Sequence, residues 1–313
     1  MNLFISIFIF CIILFFYLHI YFHLNTSNDL EIFEIELPSK DKFEEICDLK
    51  QPVLFSFQNE RLLETCNRAA ILDTYGAFDI KLRNVKNAAI TNAAANKKEK
   101  SKQKEKEEEE EEVYVPLPFS SAIQVLVNDT EMKYISENNM EFLEETSLIK
   151  TYKYNDAFFR PYMVSNCIYD FITAANGTQT PLRYELNYRN FFYVTEGEIK
   201  IKLTPPKSSR YLYQITDYEN MEFYSPINPW HVQAPYKNDF DKIKCLELTL
   251  QKGQMLFMPA FWWYSMEFGK NASICSMKYR TYMNNVAILD KILMKFLQSQ
   301  NTKRTLVKTY TPI

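Results

Sequence analysis

The segment Thr180–Pro206, TPLRYELNYRNFFYVTEGEIKIKLTPP, constrains the chain most. It reads as two β-strands joined by a tight turn at Glu196-Gly197. After the turn, Ile199, Ile201 and Leu203 alternate with Lys200 and Lys202, the period of two expected of a strand with one buried face. Before it, Arg183 and Glu185 stand two residues apart, so on a strand both side chains leave the same face. A second segment, Leu246 to Ser265 (LELTLQKGQMLFMPAFWWYS), answers the first. Leu246, Leu248 and Leu250 alternate, Lys252-Gly253 turns, and Met255-Leu256-Phe257-Met258 runs into Pro259 and the cluster Trp262-Trp263-Tyr264.

Taken in order, TPLRYE, EG, TPP, KG and MPAFWWYS resemble the frame of the cupin-like JmjC family, over roughly Glu31 to Arg280 apart from one charged insert. The resemblance implies a mainly β (α+β) fold, a double-stranded β-helix or cupin jelly roll with flanking helices. Enzymes of this family are Fe(II)- and 2-oxoglutarate-dependent hydroxylases, in which two histidines and one carboxylate hold the iron and leave positions for 2-oxoglutarate and O₂.

The letters that carry this chemistry have changed. The first histidine falls at Arg183, whose guanidinium stays protonated and offers no lone pair to a metal. The carboxylate falls at Glu185, one methylene longer than the usual Asp. The distal histidine falls at Tyr264, a phenol with an ordinary pKa near ~10. The lysine that pairs with 2-oxoglutarate falls at Ile199, and Lys200 beside it points to the opposite face. Thr180 matches a family position near the co-substrate, although Thr before Pro is also a plain structural choice. Trp262 and Trp263 are further cavity candidates, with packing the simpler role.

His19 and His23 lie in the apolar N-terminus and His231 in a loop where the family has no ligand. The cofactor expectation is therefore none, or Fe(II) and 2-oxoglutarate if the protein is an enzyme after all. The resemblance thus implies a pseudo-oxygenase that binds or scaffolds. A divergent hydroxylase using Glu185 is the alternative, and a lectin-like or small-molecule binder using the old cavity is a third reading.

Leu3–Leu24 is almost wholly apolar and free of Lys and Arg. At ~1.5 Å per residue it matches the ~30 Å hydrocarbon core of a bilayer. It is longer than the apolar part of a signal peptide and no A-x-A site follows it, which favours a retained anchor over a cleaved signal. A buried core helix is the remaining option. Lys40 is the first basic residue after the span, so the positive-inside rule has little to act on. Sequons at Asn25, Asn128, Asn176 and Asn271 fit a lumenal domain in the secretory pathway, but so Asn-rich a chain yields about three by chance.

The organisation expected is an anchor over 1–26, a cupin-like domain over 27–285 and a C-terminal helix and tail over 286–313. Strands are expected at Leu30–Ile35, Pro52–Phe57, Phe78–Val85, Tyr134–Ser136 and Tyr169–Ile172, and a closing strand at Ile274–Arg280. Helices are expected after Ser39, over Asn59–Leu72, Ser120–Val127 and Asn139–Leu148, at Asp156–Phe159, and over Ala287–Gln298. The last carries Ile288, Leu289, Ile292, Leu293, Phe296 and Leu297 on an apolar face. That face packs on the barrel in a monomer, while the C-terminal helices of relatives pair two subunits, which leaves a homodimer open.

The insert 86–112 ends in KKEKSKQKEKEEEEEE and has no apolar periodicity, so it reads as a solvated loop or spur, with acidic docking to a basic partner as the rival role. A net charge of −3 in 313 residues gives no reason to expect a nucleic-acid partner. The partners expected are the membrane and an unassigned protein or small molecule. Six scattered cysteines show no CxxC spacing and specify neither a zinc site nor a disulfide.

Overall fold

The computed structural model describes residues 2–85 and 114–300; the charged insert lies outside them. Fifteen strands follow in chain order among the described residues. They are β1 (Phe33–Ile35), β2 (Val53–Ser56), β3 (Asp79–Asn84), β4 (Val115–Pro118), β5 (Tyr134–Ser136), β6 (Val164–Ala174), β7 (Arg183–Tyr184) and β8 (Arg189–Glu196). The rest are β9 (Glu198–Thr204), β10 (Ile215–Asp217), β11 (Glu222–Tyr224), β12 (Leu246–Gln251), β13 (Gln254–Pro259), β14 (Trp263–Phe268) and β15 (Ser273–Thr281). They form two sheets, ordered β1-β2-β13-β8-β15-β6-β5-β3-β4 and β10-β11-β7-β14-β9-β12.

From β6 onward the chain passes repeatedly from one sheet to the other. β6, β8, β13 and β15 belong to the larger sheet, while β7, β9, β12 and β14 belong to the smaller. This alternation is the double-stranded β-helix. It also corrects the hairpin expected at Glu196-Gly197, because β8 and β9 are not partners. β8 pairs with β13 and β15, and β9 with β12 and β14. The turn serves as a corner between sheets. A Cβ on Gly197 would sit 2.8 Å from the Lys270 carbonyl oxygen and 2.9 Å from Ala272 Cα, and its φ of +70° suits glycine. Alternation along each strand was legible, but it does not say which strand lies alongside.

The core follows from the pleat. On β8, Phe191 and Tyr193 face one way, and Phe192 and Val194 the other. The first pair joins Phe43, Phe55, Phe159, Phe257 and Tyr279 under the helices that cover the outer face of the larger sheet. The second pair meets Ile199, Ile201, Leu203, Tyr264 and Met266 between the two sheets. Each such buried aromatic contributes roughly 1.5–3 kcal/mol over exposure.

Several expected helices differ. Asn59–Leu72 is two helices, Glu60–Thr65 and Arg68–Tyr75, because the Asn67 side chain caps a new start by accepting from Ala70 N at 2.8 Å. Asp156–Phe159 is a turn after the helix Ile149–Asn155, since the Asp156 carboxylate is committed to other partners. The C-terminal helix is two pieces, Tyr282–Ala287 and Leu289–Gln300. Only Ile288 and Ile292 of its apolar side join the core, so the expected packing of that whole face on the barrel is corrected. All six cysteines are unpaired.

Asn2–Leu24 is one helix. Leu3–Leu24 is long and apolar enough to cross a membrane, and its apolar window is not buried in the domain, only His23 near its end being covered, which removes the core-helix option. Its last turn is seated on the domain: the rings of His23 and Tyr188 meet edge to face at 4.9 Å. Lys50 Nζ donates to the carbonyls of Phe22 and Asn25.

Candidate functional site

The two sheets enclose a cavity of about 430 Å³ next to the core. Its contents are charged. Arg183 enters from β7, held by pairing with Tyr264 on β14 and Tyr224 on β11. Glu185 follows one residue after β7 ends. On β15 the period of two sends Lys278 and Arg280 into the cavity, while Met277 and Tyr279 join the core behind the sheet. Arg83 arrives from β3, and Glu137 directly follows β5.

The loop after β5 is pinned by Asp170 of β6. Asn138 has a φ of +62°, a left-handed conformation that asparagine tolerates better than most residues. In that shape the consecutive amides of Asn138 and Asn139 both donate to the Asp170 carboxylate at 2.8 Å. Burial pushes the Asp170 carboxyl up to about 6, against the pull of the two amides and Lys278.

Two clusters share the charge. Glu137, 4% exposed, accepts from Arg183 Nη1 at 2.7 Å and also contacts Arg83. Arg83 in turn reaches Glu222 at 3.0 Å. Burial opposes ionisation of Glu137, but the two guanidiniums prevail and hold its carboxyl at about 2. Glu185 forms the second cluster. Its Oε1 accepts from Lys278 Nζ at 2.6 Å and from the Tyr264 hydroxyl at 3.0 Å, and its Oε2 from Asn187 at 3.1 Å. Burial again opposes the charge, and Lys278 more than offsets it, so the Glu185 carboxyl lies below its ordinary range. Burial, above all, pushes the Tyr264 phenol well up, so it acts as a neutral donor.

The structure therefore brings Arg183, Glu185 and Tyr264 together around one cavity. Glu185 and the Tyr264 hydroxyl would be the natural partners of a guanidinium here, yet Arg183 pairs with Glu137. Beyond the backbone pairing of their strands, its side chain meets the tyrosine only through its charge over the ring, 5.5 Å from the centroid. The other expected cavity residues lie elsewhere. Thr180 is buried and its hydroxyl accepts from Met266 N at 2.9 Å. Ile199 is core between the sheets. Trp262 donates to the Lys50 carbonyl at 3.1 Å, and Trp263 to Ser209 Oγ at 2.8 Å while packing edge to face on Tyr184. These indoles are packing residues, since neither lines the cavity. His231 sits in an exposed loop against Gln179.

Sequence reading missed Arg83, Glu137, Asp170, Lys278 and Arg280. The last two had a signal, because SICSMKYRT alternates polar with apolar residues on a strand buried on both faces. Arg83 and Glu137 had none, being brought together across the insert by strand pairing alone.

The fold and site define a cupin barrel whose centre holds fixed ion pairs. Residues 39–284 match the Cupin-like domain family, and the chain belongs to that family, which is of JmjC type. It is also similar to HSPB1-associated protein 1 of Rattus norvegicus, Mus musculus and Homo sapiens. Each is 29% identical over 92 residues, which is 29% of this chain and 19% of the relative. The matched stretch thus spans about a fifth of those relatives.

The residues present do not fit the iron of the family's enzymes. Arg183 cannot ligate, the Tyr264 proton is donated to Glu185, and both Glu185 oxygens are already engaged. Among the described residues no three His, Cys, Asp or Glu side chains converge as a metal site.

Proposed function

We propose that this chain is a membrane-anchored, non-catalytic member of the cupin-like family that acts by binding or scaffolding. The observation that carries the reading is the pair of clusters Arg83–Glu137–Arg183 and Lys278–Glu185–Tyr264, built around the three residues that by resemblance replace the iron ligands of the family's enzymes. Protein cations stand there in place of the metal. They stabilise the two buried carboxylates, since a buried charge persists only when paired and hydrogen-bonded. The test is 2-oxoglutarate-dependent succinate release by the purified protein with Fe(II) and ascorbate supplied. No turnover is expected; metal-dependent turnover would establish the divergent hydroxylase.

A small-molecule ligand for the cavity is the favoured kind of partner. Arg183 Nε is buried without a hydrogen-bond partner, and the terminal nitrogens of Arg280 have no ion pair among the described residues. Both line the cavity, so hydrogen-bonding capacity is left for a guest.

The anchor is the helix Leu3–Leu24. Its length, composition and lack of burial support a single pass through a bilayer, and the seating of His23 and Phe22 on the domain supports retention over cleavage. We place the globular part on the lumenal side. All four sequon asparagines are exposed, so endoglycosidase sensitivity of protein from native membrane tests the side. Its absence, with the sequons kept, would put the domain in the cytosol.

A further inference from the structure

We infer that the helix Leu289–Gln300 lies on the bilayer surface beside the anchor and holds the cavity mouth against the membrane. The inference rests on the anchor reading above.

Four residues, Leu289, Leu293, Phe296 and Leu297, are 50–62% exposed. Their spacing of i, i+4, i+7 and i+8 makes one stripe along the helix, while Lys291, Lys295, Gln298 and Ser299 occupy the other side. Single exposed apolar residues are ordinary on a soluble surface, but a continuous stripe calls for a covering. At 12 residues the helix spans ~18 Å, too short to cross a bilayer but suited to lying in its interface.

The surroundings of the stripe point to lipid as that covering. The preceding helix, Tyr282–Ala287, packs against the apolar N-terminal helix, so Leu289 starts close to where the anchor leaves the domain. The amide of Tyr282 donates to the Met163 carbonyl at 3.2 Å. That bond gathers three further exposed side chains, Tyr162, Met163 and Tyr282, at 68%, 70% and 57% exposure. Tyrosines next to a membrane-spanning helix suit the headgroup layer.

Charge agrees: from Leu289 to Ile313 the sequence holds Lys291, Lys295, Lys303, Arg304 and Lys308 against Asp290 alone, in a chain whose net charge is −3. A basic polar face favours anionic headgroups. The border between the stripe and the polar face supplies Ile292 and Lys295 to the cavity lining. A guest entering by that edge would come from the membrane surface.

The test uses the full chain in vesicles of phosphatidylcholine and phosphatidylserine whose acyl chains are brominated. Two variants each add one tryptophan, Phe296→Trp on the stripe and Gln298→Trp on the polar side. The signal of the wild type, which holds Trp230, Trp262 and Trp263, is subtracted. Carbonate-resistant pelleting reads the anchor, and quenching reads the helix. The expected result is loss of most of the added emission at 296 with little loss at 298. Weak quenching at both sites in protein that still pellets would overturn the inference and leave the anchor standing. A cross-link between two copies through Phe296→Cys in vesicles would overturn it in favour of a dimer. Protein that washes off with carbonate would remove both readings.

Discussion

Two sites in this molecule bury a carboxylate among cations and tyrosines, and they differ in one respect. Asp156 lies outside the barrel interior, fully buried. Its Oδ2 accepts from the hydroxyls of Tyr169 and Tyr279, at 2.5 and 3.0 Å, and from Arg160 Nε at 3.1 Å, while its Oδ1 lies 2.9 Å from Arg160 Nη2 in an ion pair. Its aromatic partners belong to the main core, and it does not line the cavity between the sheets. Glu137 and Glu185 are as well partnered, yet their cations border open space and keep unused donors. Burial and ion pairing are therefore common to both sites. Spare hydrogen-bonding capacity beside a cavity marks only the second as a place for a guest.

This contrast can be broken by mutation. Asp156→Ala should have the largest effect, a loss of roughly 4 kcal/mol in denaturant unfolding, because it strands two buried hydroxyls at once and removes the ion-pair partner of the partly exposed Arg160. Arg183→Met should cost less, about 2 kcal/mol, since Glu137 keeps Arg83 as a partner. Equal losses at the two sites would mean that the cavity network is as rigidly structural as the Asp156 knot.

Titration sharpens the comparison further. Asp170, held up at about 6, binds its proton more tightly folded than unfolded. Protonation therefore adds stability as pH falls through 6 toward the ordinary carboxylate range, about 1 kcal/mol between pH 7 and 5 by linkage. Glu137 has the opposite sign. Its carboxyl is held at about 2, so its contribution is present above the ordinary value of 4.5 and is lost as pH falls below it. Chemical unfolding at several pH values should show a shallow rise toward pH 5 and then a decline. Asp170→Asn should remove the rise and leave the decline.

The smallest effect belongs to the insert. Replacing 86–112 by a short Gly/Ser linker should change stability by less than about 1 kcal/mol, because loop-closure entropy varies slowly with length. A larger loss in the same unfolding assay would show that the segment contributes to the network at its edge. Its two flanks are Val85, which lines the cavity, and Tyr114, which packs over Arg83 at 5.3 Å.

Legibility in the sequence followed the range of the interactions. Period-two strands such as Glu198–Thr204 and the frame around TPLRYE were readable because pleat and turn geometry act over a few residues. Pairing was not, and the corner at Gly197 therefore passed for a hairpin. The changed letters at Arg183, Glu185 and Tyr264 pointed to one location, and the fold assembles them there. Their counter-charges were hidden for different reasons. Lys278 stands on a strand whose inward polar alternation was visible but unread. Glu137 depends on a left-handed Asn138 and on Asp170, contacts that no local pattern encodes.

The central claim is that protein cations stand where the family's iron would be. The most direct measurement is an anaerobic Fe(II) titration of the purified wild type, read by calorimetry and by metal analysis after desalting. Arg183→His with Tyr264→His, which restores two imidazoles beside Glu185, is titrated in parallel. No saturable Fe(II) binding is expected in the wild type, and any retained metal only in the double variant. One retained equivalent of Fe(II) in the wild type would contradict it.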